Sequence, residues 1–388
     1  MKAETFKSMQ AGKVVYGASG YAAFVPAPLP PAIQYDNDLV LALSKADTAL
    51  SELSGLGRNL PNPHLLINPY MRREAVLSSR IEGTHTTLTG LLREEVTEED
   101  ASHSRDADMR EVRNYVTALE YGLHNLGQLS LSLRMVKELH RRLLNGVRGQ
   151  QHRPGEFRTV QNCVGPTGSN EFTAPYVPPP VEYLEACLND WEQFAHQAGT
   201  VPDLIQCALL HEQFEAIHPF GDGNGRLGRL LIILFLMERG RLTQPLLYPS
   251  DYIEAHKETY YDALQSVRTD GDWIGWIYFF LSVITESAKH GIHQASQLMD
   301  LRETYRQRLR DNSNALALVD QLFVNPFTTY PRAMKLLGVT NPTARRVVQV
   351  LEEEGIVEKV PNRTYRQLFA SQPILNILAP DDISAIEQ

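Results

Sequence analysis

The chain has 388 residues, 43% hydrophobic and 21% charged, which excludes a disordered or fibrous chain and leaves length for two or three globular domains. A net charge of −9 excludes a protein that coats nucleic acid or anionic membrane through bulk charge, although one local basic face remains allowed. Cys163, Cys187 and Cys207 are odd in number and lack C-x-x-C spacing. They predict neither a disulfide framework nor a zinc site, and they suit a reducing, cytoplasmic setting. The opening MKAETFKSMQAGKVV lacks the apolar stretch of a secretory signal. The longest unbroken apolar run, Leu230 to Met237, is eight residues. That is too short to span a bilayer, so no membrane partner is expected.

In chain order, residues 1 to about 35 read as an extended arm ending in the proline-rich stretch 26–31, with no pattern able to fold alone. From about 36 to 127 apolar residues recur at helical spacing. The acidic run Arg93-Glu94-Glu95-Val96-Thr97-Glu98-Glu99-Asp100 inside that region reads as a solvated connection. Residues 71–83 predict a helix stopped by Gly83, with Ser78 and Glu82 four apart on one face. Residues 133–144 predict an amphipathic helix closed by Gly146. The composition then shifts toward Gly, Pro, Thr, Asn and Val over 154–180, predicting a short strand pair at 159–164 and 174–177. Helices follow at 181–197, 201–217, 226–239 (ended by Gly240), 252–268 and 272–289. Near the C-terminus, helices are predicted at 315–323, at 330–337 closed by Gly338, and from Asn341 as N-cap with Pro342 at the first helical position to Glu354. Strands 356–360 and 364–369 flank a Pro-Asn-Arg turn. Three helices and a hairpin is the order of a winged helix-turn-helix. No internal repeat is visible.

Chemistry concentrates in His218-Pro219-Phe220-Gly221-Asp222-Gly223-Asn224-Gly225-Arg226-Leu227-Gly228-Arg229. Alternating glycines let successive backbone N–H groups turn inward into an anion-binding concavity. That concavity opens on a helix whose positive end faces it. Arg226 and Arg229 lie three apart on that helix, and guanidinium forks match phosphate oxygens. Asp222 places a carboxylate where Mg²⁺ bridging phosphates needs one or two oxygens. His218 can act as a general base near neutral pH. Base, metal ligand, amide nest and paired arginines are the set that phosphoryl or nucleotidyl transfer requires. Gly223-x-Gly225-x-x-Gly228 formally fits a dinucleotide fingerprint, but it follows a helix and no βαβ pattern surrounds it. A Walker A loop would need Lys where Arg226 stands. A zincin starting at His211-Glu212 would need His where Glu215 stands. A plain glycine turn between buried helices explains neither the histidine nor the arginine spacing.

The same twelve residues fill every required position of the Fic motif, H-P-F-x-(D/E)-G-N-G-R-x-x-R, and the chain resembles that family. The likeness extends to Leu139-His140, Pro154-Gly155-Glu156-Phe157-Arg158, Tyr176-Val177-Pro178-Pro179, Tyr260-Tyr261 and Gly271-Asp272-Trp273, covering about 133–289. The resemblance implies a mainly α fold: an all-helical Fic core with a β-hairpin flap, followed here by the winged helix-turn-helix domain. The expected division is 1–127 for the arm and helical region (inhibitory helix about 68–83), 128–295 for the core and 310–375 for the winged helix. It implies a protein adenylyltransferase using ATP and Mg²⁺. His218 would deprotonate the target hydroxyl and Asp222 would hold Mg²⁺. Gly223, Asn224 and Gly225 would form the anion hole, and Arg226 and Arg229 would bind the outer phosphates. Tyr260, Tyr261, Val164 and Gly165 would line the nucleotide site, and the flap, 159–165, would align a target segment by strand pairing. Glycines on both sides of Asn224 resemble the AMP-transferring branch, whereas the kinase branch carries Ala and Lys there.

Ser78-Ser79-Arg80-Ile81-Glu82-Gly83 resembles the inhibitory motif (S/T)-x-x-x-E-(G/N) of one Fic class. The implied role is a brake, with Glu82 occupying Arg229. The implied partner is a hydroxyl-bearing protein, modified on Ser, Thr or Tyr, with self-modification and a homodimer left open. Two rivals stand beside this reading. One is a winged-helix DNA-binding regulator with a nucleotide-sensing Fic domain, which would not need His218. The other is a de-AMPylating enzyme, in which Glu82 would orient a water. Residues 321–370 hold seven Lys/Arg (Arg332, Lys335, Arg345, Arg346, Lys359, Arg363, Arg366) against four Glu. That modest excess and the Glu352-Glu353-Glu354 end favour docking or dimerisation over DNA contact.

Overall fold

A computed structural model describes residues 1–59, 64–97, 106–199, 201–361, 367–380 and 382. Two helices with apolar residues on every side lie at the centre. They are α7 (Asp203–Ile217), buried from Leu204 to Ile217, and α8 (Asn224–Glu238), buried over most of its length. A helix apolar all round belongs in the interior, and these two pack against each other with the motif loop between them. The loop is therefore fixed at both ends by core packing.

The other helices wrap this pair. α1 (Asn37–Asn59) lies along α11 (Trp273–Arg308), while α2 (His64–Ile81) and α4 (Ala107–Leu129) meet each other and α8. α5 (Leu133–Leu143) and α6 (Val181–His196) close the far side against α4 and α7. α9 (Ser250–Ala255) and α10 (Lys257–Asp270) flank α2 and α11. Capping follows ordinary rules: Asp106, Ser132, Asp272 and Asn312 each accept an N–H of the first turn through the side chain. Among the described residues no helix is long and apolar enough to cross a membrane.

The structure departs from the sequence expectations in several places. The N-terminal arm is folded: β1 (Gly12–Tyr16) pairs antiparallel with β2 (Ala22–Pro26). Every β2 residue is buried, and Phe24 N–H donates to Val177 O. Its hydrophobic partners, Tyr176 and Ala216, come from distant segments, so no local pattern announces the hairpin. The expected strand pair at 159–164 and 174–177 reduces to one bridge, Val164 with Tyr176. The acidic run is partly a helix, α3 (Leu88–Thr97), whose Glu95 pairs with Arg72 at 2.7 Å; Glu98, Glu99 and Asp100 lie outside the described residues. The helix expected over 252–268 is split at His256 into α9 and α10. The one expected to stop at 289 runs on to Arg308 and carries the chain into the C-terminal module.

That module comprises α12 (Ser313–Val324), β3 (Phe327–Thr329), α13 (Tyr330–Leu337), α14 (Asn341–Glu353), β4 (Glu358–Lys359), β5 (Leu368–Ala370) and α15 (Gln372–Leu378). Its sheet order is β3-β5-β4, antiparallel throughout. β3 and α15 were not expected, and the N-cap of α14 is Thr340 rather than Asn341. Asn362, Arg363 and Arg366, expected in and beside the wing turn, lie outside the described residues. The module packs on the N-terminal region, with α12 against α2 and β3 against α3. Arg73 donates to Leu378 O at 2.5 Å, and Asn325 donates to Leu92 O at 2.9 Å.

Phe24 is 2% exposed and packs with Ala11, Tyr176 and Ala216. Phe24→Ala is expected to cost about 3 kcal/mol, the usual scale for emptying an aromatic core site. Trypsin should then cut after Lys13 well before the core helices, and protection equal to that of the parent protein would contradict a packed hairpin.

Candidate active site

His218 ends α7 in the left-handed region, φ 48° and ψ 60°, a conformation rare for a non-glycine residue. The sharp turn lifts the imidazole off the helix. Its Nδ1 lies 3.4 Å from Glu215 O. A carbonyl only accepts, so Nδ1 carries the proton and Nε2 keeps the lone pair a base needs. Burial lowers the His218 pKa to about 4, helped by the positive charges of Arg158 and Arg268.

The loop beyond it is held rigidly. Phe220 N–H donates to Asn224 Oδ1 at 2.9 Å and Asn224 Nδ2 donates to Phe220 O at 2.8 Å. The Asn224 side chain is thus a staple, and only its backbone amide is left for an anion. His140 Nε2 donates to Asp222 O at 2.9 Å while its Nδ1 accepts from Gly155 N–H at 2.8 Å, and the ring stacks on Phe220 at 3.7 Å. Burial lowers His140 to about 4, which keeps it neutral for this bridging role. Gly223 caps α8 at φ +77°, leaving the first amides of α8 without an intrahelical acceptor, as at any helix start. Asp222 Oδ1 accepts from Gly223 N–H at 2.6 Å, and the carboxylate is about a third exposed.

The two arginines are buried, each 1% exposed, and have different partners. Arg226 donates to Glu111 Oε2 at 2.6 Å and stands 3.9 Å from Asp222 Oδ1. Arg229 is enclosed by the end of α2: Nε donates to Ser78 Oγ (2.9 Å), and Nη2 donates to Ser78 O (2.8 Å) and Glu82 Oε1 (2.7 Å). Burial opposes the charge of Arg229, yet Glu82 holds its pKa above the ordinary value. Burial would likewise raise Glu82, but Arg229 outweighs it and the carboxyl sits below its usual range. Glu82 therefore stays ionised through mild acid, and the pair is lost only as pH falls through that depressed value. The carboxylate lies directly over Gly225, where a Cβ would stand 2.4 Å from Glu82 Oε1. Only glycine admits this approach.

Several residues without a local sequence signature complete the site. Lys257 Nζ donates to Ile81 O (2.5 Å) and Arg148 Nη2 to Glu82 O (3.4 Å), two cations at the negative end of α2. Glu215 is buried behind Arg229 with Oε1 unpaired, and burial raises it to about 7. Glu212 pairs with Arg268 at 3.2 Å, so the His211-Glu212 pair serves packing. Spacing could not have found Glu111, Arg148 or Lys257, because each reaches the site across the fold.

Of the four residues expected to line the nucleotide site, Tyr260 is buried, Val164 is partly buried, and Tyr261 and Gly165 are exposed. Tyr260 is 1% exposed and its hydroxyl donates to His211 Nε2 at 2.9 Å, which makes it a core residue behind Arg229. Tyr261 is exposed and remains beside Glu82 and Arg229, whose fields act on its hydroxyl. Val164 packs toward Phe24 and Tyr176, and Gly165 lies exposed beside Pro175. A groove of about 920 Å³ between α5 and α6, lined in part by Lys137, Arg141 and Phe157, includes no loop residue.

Among the described residues no group of three or more His, Cys, Asp or Glu side chains could hold a metal alone. Asp222 offers one oxygen that takes no hydrogen bond, which fits Mg²⁺ held by one carboxylate with nucleotide phosphates and water as the other ligands.

Residues 40–124 match the Fic/DOC family N-terminal segment and residues 130–236 match the Fic/DOC family. The chain is 28% identical over 192 residues to a probable protein adenylyltransferase of Aquifex aeolicus, covering 47% of this chain and 56% of that protein. It is 35% identical over 145 residues to the protein adenylyltransferase Fic of Aedes aegypti, covering 37% of this chain and 25% of that protein. The matches thus span about half and a quarter of those relatives. Its fold is similar to the crystal structure of a Fic family protein from Desulfovibrio desulfuricans G20, with a TM-score of 0.57, 18% identity and coverage of 89% of this chain and 99% of that one. Two successive segments of the chain are thus similar to the Fic/DOC N-terminal segment and to the Fic/DOC family.

Proposed function

We propose that this chain is an autoinhibited protein adenylyltransferase that moves AMP from ATP onto a Ser, Thr or Tyr hydroxyl of a protein, itself included. The observation that carries the reading is the pairing of Arg229 with Ser78 and Glu82 beside an otherwise intact motif loop. A guanidinium matched to phosphate is here matched to a carboxylate. In the working state Glu82 leaves, Arg229 takes the outermost phosphate, and the amides at the start of α8 receive the inner ones. Asp222 would hold Mg²⁺, which would supply positive charge to the phosphates. His218 Nε2 takes the proton of the target hydroxyl as its oxygen bonds to the α-phosphorus. The bond from that phosphorus to the bridging oxygen breaks, and pyrophosphate leaves with the electron pair. Arg226 stays on Glu111 and keeps the loop's cationic wall in place.

The C-terminal module reads as a winged helix used for docking. Arg345, near the start of α14, is held by Asn341 at 2.8 Å and lies over the Tyr330 ring at 4.5 Å. Lys359 is paired with Glu352 at 2.9 Å. Neither is poised for a phosphate, which favours a protein partner over DNA.

Glu82→Gly is expected to raise AMP transfer on the order of tenfold or more, the factor given by about 1.4 kcal/mol. Adding His218→Ala should remove ~10²–10⁴ of the rate, the usual share of a general base. Arg229→Ala should stay inactive with or without the Glu82 change. Intact mass after incubation with ATP and Mg²⁺ checks all three, and a gain of phosphate in place of AMP would redirect the chemistry to a kinase.

The pH profile of the Glu82→Gly variant follows from the low His218 pKa. The neutral base dominates above about 4, so the rate should hold between pH 7 and pH 5. A loss centred near 6.5, where an ordinary histidine titrates, would contradict a buried base.

A further inference from the structure

The segment leading into the flap grips the motif loop from outside. Arg158 N–H donates to Pro219 O at 2.9 Å. Its Nε donates to His218 O at 3.0 Å, and its Nη2 donates to Ile217 O at 3.5 Å and to Pro179 O at 2.5 Å. Asn162 Nδ2 donates to His218 O at 3.1 Å and to Phe220 O at 2.9 Å. Four consecutive carbonyls, from Ile217 to Phe220, are thus taken by two residues of one neighbouring segment, and the carbonyl of His218 receives both.

We propose that Arg158 and Asn162 are positioning residues that hold the catalytic base in its left-handed backbone conformation and tie its aim to the seating of the flap. The proposal rests on the adenylyltransferase reading above. Arg158 is 6% exposed, and each of its hydrogen-bond acceptors is a backbone carbonyl. No carboxylate forms an ion pair with it among the described residues. Burying an unpaired guanidinium is costly, and such a group marks a site where charge or donor geometry is used. Here both are used. The fork spans carbonyls that a lysine cannot reach together, and the charge faces the imidazole. Asn162 is equally committed, since its amide nitrogen serves two carbonyls while its Oδ1 is buried without a partner. The flap end of the link continues through Gln161, whose amide nitrogen donates to Pro178 O at 3.0 Å and whose oxygen accepts from Tyr21 OH at 3.1 Å. A target segment seated on the flap therefore presses on the residues that aim the base.

His218 is faced by Arg158 before the flap, Arg268 of α10, Glu215 of α7 and Glu82 after α2. A positive neighbour disfavours imidazolium, so removing the Arg158 charge raises the histidine pKa.

The test uses the full chain carrying Glu82→Gly, with Arg158→Lys, Arg158→Met or Asn162→Ala added. AMP transfer is followed against ATP concentration and pH, and the His218 imidazole is titrated by NMR. Asn162→Ala and Arg158→Lys should lower kcat on the order of 10- to 100-fold, the scale of a displaced catalytic group, while KM for ATP stays within about twofold. Arg158→Met should in addition move the acid limb and the imidazole titration upward, toward 6.5. Arg158→Lys should leave both in place. Unchanged kcat in Asn162→Ala, a parallel rise in KM, or an unmoved imidazole in Arg158→Met would overturn the proposal. If Arg158→Met does not fold, the kcat and KM split in the other two variants decides. Absence of AMP transfer in the Glu82→Gly parent sinks the adenylyltransferase reading instead, and the NMR titration then still reads the positioning role.

Discussion

The ion pair between Arg229 and Glu82 is the interaction on which the described state depends. Arg229 is buried at the centre of the helical core, where an unpaired charge is hardest to tolerate. In the described state its partners are Ser78 and the Glu82 carboxylate just after α2, which take Nε and Nη2. Under the proposed function a phosphate would compete for the same donors. The missing Cβ of Gly225 gives the competing carboxylate its room. Loop, arginine and the end of α2 thus form one steric and electrostatic unit.

That unit is braced from behind. Tyr115 OH donates to Glu74 Oε1 at 3.1 Å, and Ser250 Oγ donates to the same carboxylate oxygen at 2.5 Å, so a buried polar chain runs along α2 toward α9. Burial raises Glu74 to about 7 despite these donors. Arg73, on the same helix, joins Asp251 at 2.8 Å and the end of α15. Asp382 accepts from Thr89 N–H at 3.1 Å and stands 3.7 Å from Arg80. The C-terminal module therefore sits on α2, the helix that ends just before Glu82, and its apolar contact through α12 orders α2 as part of the core.

Legibility in the sequence followed the range of the contacts involved. The motif loop was readable because its chemistry is local: glycines, base, carboxylate and arginines fall within one turn and one helix start. The Ser78 and Glu82 pair was readable because i and i+4 on a helix must face one way. The hairpin of residues 12–26 was not, because its stability comes from Tyr176, Val177 and Ala216, more than a hundred residues away. Tyr260 follows the same rule: an aromatic near such a motif reads the same whether it faces a pocket or, as here, is buried against His211. Asn224 illustrates a third case, where the side chain closes the loop onto the Phe220 backbone, a role that its place in the motif does not announce. The long α11 runs past 289 because Gly291, Gln294, Ala295, Leu298 and Tyr305 keep helical spacing on its buried face.

The central claim, that Glu82 and the outermost phosphate compete for Arg229, is tested most directly by calorimetric binding of ATP and ADP to the parent chain and to Glu82→Gly. If the two anions share one guanidinium, removing the carboxylate should strengthen ATP binding by a clearly larger factor than ADP binding. An equal gain for both nucleotides, or none, would mean that Arg229 does not answer to the third phosphate and would contradict the account.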